Sequence, residues 1–493
     1  MSLKDKTVKS TKWSAVSSLT VIVFGFAQVT VLSHILSTYA FGVASILSIV
    51  LLMTDMLADC GISNSIIQKK DINRKELSTL YWLNTMLGVC LFCVFWLLSG
   101  LIAILVKVPD VEGLIKLTSI AFLILPHGQQ YRALIQKELN FNFLAKVESF
   151  SYVFGFLVAI VTASFTKDAS SVVIGYLANI TLRTVLLSKW GAVNFSPSRH
   201  FNIKGIKDNI LFAFYLTSDS LLNYVTLSAV TPIISRLIGA ILAGGYNLAY
   251  SVTVNPPSKI SPVITRVMFP ALAKMQDEPE RLKKNFFKML HFIGHVNFPF
   301  LLVLFFLSED FIQIFFGDKW EFINHAFKIL CICGALRIVA NPLGALLMAK
   351  ARMDLSLKFN VLKIFLFLPI IYCSVLYFGF MGAAFGFLIC QLINLVGSYV
   401  FLVRPVLGHC LKDFISSIVM PLLHLLPMGM VLYVLNQSNF LGQVGYYELA
   451  IKLSSAFVVY LLTYFLSKDL VVNEIRAMAF GSLLKKRSSP LKG

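Results

Sequence analysis

Asp55 and Asp59 stand four residues apart in a stretch that is otherwise uncharged from Tyr39 to Asn64, so on a helix both carboxylates fall near one face with Asn64. Asp219 and Asn223 repeat the arrangement at the same spacing. Asn255, Lys259 and Arg266 are interleaved with Pro256, Pro257, Pro262 and Pro270, and Lys259 and Arg266, seven apart, share a face. Prolines remove backbone donors and kink a helix. Arg337 and Asn341 precede Pro342, while His127, Gln130 and Arg132 follow Pro126. An ionisable side chain near the centre of a membrane helix costs about 2.5–3.5 kcal/mol, so these groups are expected to face protein or water. Kinked backbone at that depth is tolerated where it borders a cavity. The chemistry implied is the holding of a polar solute in a hydrated chamber, with no bond made or broken. The sequence has no GxxxxGK(S/T), HExxH or GxSxG. The cysteine pairs at Cys90/Cys93 and Cys331/Cys333 lie in apolar runs without a neighbouring His or carboxylate, so no metal, cofactor or disulfide framework is expected.

The elements that must position these residues are apolar throughout. Of the 493 residues, 57% are hydrophobic and only 14% charged, with 42 Phe and a mean hydropathy of +0.78. That composition excludes a water-soluble enzyme of this size. A net charge of +19 would suit nucleic acid, but the cations sit in short stretches between apolar runs, the pattern of a membrane protein with cationic loops. A span needs about 20 mainly apolar residues. On that rule fourteen spans are expected, near residues 13–36, 40–65, 79–106, 112–135, 143–165, 170–190, 209–236, 241–270, 286–308, 325–349, 356–378, 380–404, 414–435 and 447–467. The uncharged run from Ile364 to Val403 is too long for one crossing and is divided at Phe378 to Gly382.

Charge in the connections tests the count. Cations gather on alternate connections: Arg74 and Lys75, Lys137, Lys204 and Lys207, Arg281 to Lys284, Lys350 and Arg352, Arg404 and Lys412, and the tail from Lys468. The opposite connections carry Lys107, Lys167 and Lys319, each beside acids such as Asp110, Asp168 and Asp318. By the positive-inside rule both termini are cytoplasmic. The run from Trp13 to Ser33 is too long for a signal-peptide core and reads as the first span. Several charges have plainer readings: Lys116 snorkels to an interface, Lys358 and Lys363 are inner anchors, and Arg266 fits either an interface or the chamber. His291, His295 and His424 read as hydrogen-bonding residues, and Glu148 as the partner of a nearby cation. The amphipathic segment Phe311 to Trp320 reads as an outer surface helix.

Ser33, His34 and Gly42 align with Ser235, Arg236 and Gly244, an offset of 202 that superposes span 1 on span 7. Two parallel six-helix repeats follow from it. The expected organisation is an N-terminal lobe at 1–190, a basic cytoplasmic linker at 191–208, a C-terminal lobe at 209–405, and spans 13 and 14 with the tail at 406–493.

Five stretches carry a family resemblance: Ala58 to Gln68, Pro126 to Phe141, Gly244 to Pro257, Ile264 to Asp277 and Asn341 to Asn360. They resemble the polysaccharide flippases of the multidrug/oligosaccharidyl-lipid/polysaccharide (MOP) exporter superfamily, especially the colanic-acid-exporting branch of enteric bacteria, through spans 1–12. The resemblance implies an all-α protein of the bacterial inner membrane. It implies two six-helix bundles around a central cavity lined by spans 1, 2, 7 and 8, with two further C-terminal helices. It also implies transfer of an undecaprenyl-diphosphate-linked repeat unit from the cytoplasmic to the periplasmic leaflet by alternating access. Expected partners are that lipid-linked oligosaccharide, membrane lipids, and the polymerase and glycosyltransferases of the pathway. Under this reading Lys259, Arg337, Arg266 and Arg132 attract the diphosphate or uronic acid groups. Asp55, Asp59 and Asp219 balance that charge or bond sugar hydroxyls, with His127, Asn223, Asn255 and Asn341 also lining the cavity. Two alternatives stay open: a drug/cation antiporter of the same superfamily, and a membrane polymerase or acyltransferase.

Overall fold

The structure is a computed structural model that describes residues 3–59, 61, 63, 66–67, 72–138, 140–198, 201–202, 217–218, 221–256, 272, 275–340, 342–350, 352–437 and 446–467. The regular elements among those residues are all helices, without a strand. In chain order the helices are α1 (Leu3–Ile35), α2 (Thr38–Asp59), α3 (Arg74–Val106), α4 (Val111–Ile124), α5 (Pro126–Lys137), α6 (Phe141–Thr166), α7 (Ser170–Asn194), α8 (Leu221–Ile238) and α9 (Ala240–Thr253). They continue as α10 (Pro279–Phe306), α11 (Ser308–Phe316), α12 (Asn324–Ala340), α13 (Leu343–Ala349), α14 (Met353–Leu407), α15 (Leu411–His424), α16 (Leu426–Gln437) and α17 (Tyr446–Leu466).

Ten of these stretches are long and apolar enough to cross a membrane, and twelve if each of two bent pairs, α4–α5 and α15–α16, is one crossing. The expected fourteen are therefore not reached among the described residues. One shortfall is α14, which counts once although Gly379 breaks it at φ 58°, ψ −136°. Beyond that break a methyl on Gly386 would lie 2.8 Å from the Ser374 side chain, so the chain folds back there as the glycine turn predicts. Another is the eighth span, described only to Pro256. The third span starts at Arg74, five residues ahead of expectation, because Asn73 and Glu76 form a reciprocal capping box that carries the helix beyond its apolar part.

The chain divides into two compact units, Met1–Leu248 with Asn360–Gly386, and Ala249–Phe359 with Phe387–Gly493. In the first, α2 lays Val43, Ile46, Leu47 and Val50 against Val106, Val111, Ile115 and Val173. Helices α6 and α7 meet along Gly155, Ala159 and Gly175: a methyl on Gly155 would lie 2.7 Å from Gly175 O, and one on Gly175 2.8 Å from Gly155 O. Small residues admit such backbone contact where lipid supplies no hydrophobic drive. Large apolar side chains such as Leu97, Ile104 and Phe165 are turned outward, as a lipid solvent permits.

In the second unit, α10 is central and packs Phe286, Leu290, Ile293 and Leu301 against residues of α13, α15, α16 and α17. The surface segment expected at 311–320 is α11 followed by a 3-10 turn over Asp318–Ile323, in which Trp320 is buried instead of lying at an interface. Lys452 of α17, itself buried, reaches Asp310 Oδ2 of α11 at 2.7 Å and Glu448 Oε1 at 2.8 Å, and Asn436 Oδ1 accepts its third proton at 3.4 Å. This ion cluster fastens the last helix to the segment after α10.

Candidate functional site

Asp55 sits near the C-terminal end of α2, one turn before Asp59, where its Oδ1 accepts from Arg183 Nη2 of α7 at 3.3 Å. Tyr176, two turns before Arg183 on the same helix face, donates to Leu51 O one turn from Asp55. The pair is partly covered, with 36% of the Asp55 side chain and 19% of Arg183 open. Asp59 turns to its own chain and accepts from the Ser63 backbone at 3.3 Å and from the Ser63 hydroxyl. Arg132 of α5 donates from Nε and Nη2 to Glu148 Oε1 of α6 at 3.0 and 2.9 Å, and Ser17 of α1 supplies a third bond at Glu148 Oε2. His127, in the turn before Arg132, bonds through Nδ1 to the Tyr81 hydroxyl of α3 at 2.7 Å.

In the second unit Arg337 donates from Nη1 to the Tyr250 hydroxyl at 2.5 Å, and the Tyr250 ring stands edge-on to Phe387. Asn223 is half-buried on α8, and Asn255 is exposed just before Pro256. Asp219, Lys259, Arg266 and Asn341 lie outside the described residues. The candidates therefore form separate contacts, Asp55–Arg183, Arg132–Glu148, His127–Tyr81 and Arg337–Tyr250, with Asp59 bonded to its own chain yet near enough to Arg132 to feel its charge. Each is a charge or polar group inside an apolar helix that has found a polar partner, as the cost of burial requires.

Two plainer readings, those of Glu148 and of the histidines, fit, while Lys116, expected to snorkel to an interface, is held by an acid on its own helix. Glu148 is the partner of a cation, Lys116 pairs with Glu112 at 2.7 Å, and His295 bonds His291 Nε2 to Nε2 at 3.1 Å. His424 donates from Nδ1 to Met420 O, and its Nε2 meets the Ser467 hydroxyl at 2.7 Å. Two residues that sequence reasoning passed over matter here, Arg183 and Lys452. The signal was present, because each is a lone cation deep in an apolar run, Arg183 being the one charge between Asp168 and Lys189. The second unit also holds a cavity of about 590 Å³, lined almost wholly by apolar groups such as Phe298, Leu302, Phe306, Leu336, Leu425 and Met430.

A family model described as polysaccharide biosynthesis protein matches residues 31–325. The chain belongs to that family. Among its relatives, an "uncharacterized membrane protein in cps region" of Klebsiella pneumoniae is 51% identical over 98% of this chain and all of the relative. The lipopolysaccharide biosynthesis protein WzxC of Escherichia coli (strain K12) is 44% identical over 88% of each chain. The teichuronic acid biosynthesis protein TuaB of Bacillus subtilis (strain 168) is 31% identical over 88% of this chain and 89% of its own. The fold matches the lipid II flippase MurJ in an inward closed conformation with a TM-score of 0.72, at 14% identity, covering 96% of this chain and 99% of that one. An inward-facing MATE family multidrug transporter of the MOP superfamily matches at 0.61, again at 14% identity, covering 78% of this chain and 94% of its own. This polysaccharide biosynthesis family member is thus a multi-pass membrane protein with a MOP-superfamily transporter fold.

Proposed function

We propose that the chain is a flippase for a lipid-linked oligosaccharide, moving an undecaprenyl-diphosphate-linked, anionic, colanic-acid-like repeat unit from the cytoplasmic to the periplasmic leaflet without altering its covalent structure. The observation that carries the reading is the 44% identity to WzxC over 88% of both chains. The geometry supports it. A saccharide and a diphosphate need polar partners inside a hydrocarbon slab, and Asp55, Arg183, Arg132 and Arg337 are ionisable groups held within apolar helices. Cations attract the diphosphate or uronic acid groups, and carboxylates balance them or accept sugar hydroxyls. Lys259 and Arg266 serve the same end, as do the polar side chains His127, Asn223, Asn255 and Asn341 with Asp59 and Asp219. Two lobes, 1–190 and 209–405, rock about the 191–208 linker to expose the site to each leaflet in turn. Both termini lie in the cytoplasm, and the polymerase and glycosyltransferases of the pathway work on either side of the step.

Depletion in a strain that relies on this chain is expected to abolish surface polysaccharide, accumulate the lipid-linked repeat unit and leave drug tolerance unchanged. Normal surface polysaccharide with altered drug tolerance would favour an antiporter and defeat the proposal. Replacing Lys259 or Arg337 with Ala or Gln is expected to cut export at least tenfold at equal membrane levels. Unchanged export removes that residue from the mechanism.

A further inference from the structure

Three histidines that the transport reading leaves unused meet inside the second unit. His291 and His295, one turn apart on α10, are buried, and their Nε2 atoms face each other at 3.1 Å with ring centres 4.9 Å apart. The ring of His424, half-buried at the end of α15, stands 5.3 Å from that of His295. From α17, Tyr460 OH donates to His295 O at 2.9 Å and the Tyr464 ring stands edge-on to His295. Ser467, just past the end of α17, meets His424 Nε2 at 2.7 Å. Imidazoles thereby tie α10 to both α15 and α17.

These bonds survive one added proton and no more. His424 Nδ1 bonds a carbonyl, which can only accept, so the neutral ring carries its proton there and Nε2 accepts from Ser467. Once that ring is charged, Nε2 donates and the hydroxyl turns round. In the His291–His295 pair one Nε2 donates and the other accepts, and the donor ring can take a proton at its Nδ1 without losing the bond. A second proton has no such place. On the pair it sets two N–H groups against each other, and on His424 it puts two cations on rings 5.3 Å apart. Lys288, one turn before His291, adds positive charge on the same side of α10. Repulsion at this spacing is strong where burial keeps water away. Ionisable groups on the surrounding helices bond elsewhere: Lys283 of α10 with Asp413 of α15, Arg337 of α12 with Tyr250, Lys328 of α12 with Glu309 of α11. Lys452 and Glu448 of α17 pair at its opposite end, and α13 carries no ionisable side chain.

We propose that His291, His295 and His424 form an acid-sensitive lock, which fastens α15 and α17 to α10 at neutral pH and opens when the cluster takes a second proton, slowing export. Ser467 leads into the basic tail that charge bias places in the cytoplasm, so the lock answers to cytoplasmic pH. Its effect on export rests on the flippase reading. The unfolded chain's imidazoles each bind a proton below about pH 6.5, whereas the locked cluster takes one among three, so stability falls as pH falls through that range. The test is thermal unfolding of the purified full-length chain in detergent near neutral pH and at about pH 5.5. The wild type is expected to melt several degrees lower at the acid pH. His295→Gln, whose amide can still bond His291, is expected to shrink that shift at least threefold, and equal shifts in the two overturn the lock. Should His295→Gln not reach the membrane, His424→Gln removes one of the facing rings and is expected to halve the shift; an undiminished shift again overturns the lock. In cells, a permeant weak acid that brings the cytoplasm to about pH 6 is expected to cut wild-type export at least threefold while His295→Gln keeps its own neutral-pH rate. An equal fall in both overturns the lock's control of export. If depletion of the wild type leaves surface polysaccharide unchanged, the flippase reading falls, and the melting comparison still decides the lock.

Discussion

Arg183 and Asp55 illustrate what a charge inside an apolar helix demands of its neighbours. Removing one partner strands the other, whereas neutralising both leaves two polar side chains that can still bond. Arg183→Ala is expected to destabilise the protein by roughly 2 kcal/mol, below the figure for a fully buried pair because Asp55 keeps 36% of its side chain open. Asp55→Asn/Arg183→Gln should recover most of that loss, measured by thermal unfolding in detergent. Export by the double variant should still fail if the pair handles substrate, which separates a structural role from a functional one. Asp55 was legible in the sequence because its depth alone makes it conspicuous. Its partner was not, since nothing in a linear reading brings residue 183 to residue 55; only the packing of α7 on α2 does. The Arg132–Glu148 contact was half legible, because Glu148 needed a cation and Arg132 lay on the neighbouring helix.

At the scale of elements, the ends of helices hold more specific chemistry than their middles. Lys452 is surrounded by Asp310, Glu448 and Asn436, one acceptor for each ammonium proton. Lys452→Met leaves two buried carboxylates facing each other and should cost about 3–5 kcal/mol. Asp310→Asn/Glu448→Gln/Lys452→Met should regain stability, read as membrane abundance and melting temperature. The segment after α7 is strapped to α3: Ser198 donates through its backbone and hydroxyl to Ser78 Oγ at 2.9 and 3.0 Å, and Trp82 Nε1 donates to Ser198 O. Ser78→Ala should loosen this strap by about 1 kcal/mol and raise protease cleavage between 195 and 202 several-fold. Such hydroxyl contacts are invisible in composition, and a Ser-Pro-Ser stretch between basic residues reads simply as a linker. The turn at Gly379 was legible because two glycines three residues apart, Gly379 and Gly382, in an overlong apolar run leave few other places to reverse.

For the molecule as a whole, hydropathy and loop charge made the fold class readable, because a bilayer imposes span length and charge bias directly on sequence. Span boundaries were less readable where caps or breaks such as the 48° bend between α4 and α5 intervene. A phosphatase reporter that is active only outside the cytoplasm should be active when inserted at 107–110 and silent when inserted at 195–198. The reverse pattern would invert the topology and the side assigned to every contact.

The mutual glycine contact between α6 and α7 bears on how such a molecule can move. Gly155 and Gly175 each occupy the space where the other's side chain would stand, so neither helix can slide or roll without its backbone colliding with its neighbour. Mechanically the two behave as one girder. Flexing of the first unit must therefore be concentrated at its weaker joints, of which the α4–α5 break at Leu125 is the most obvious.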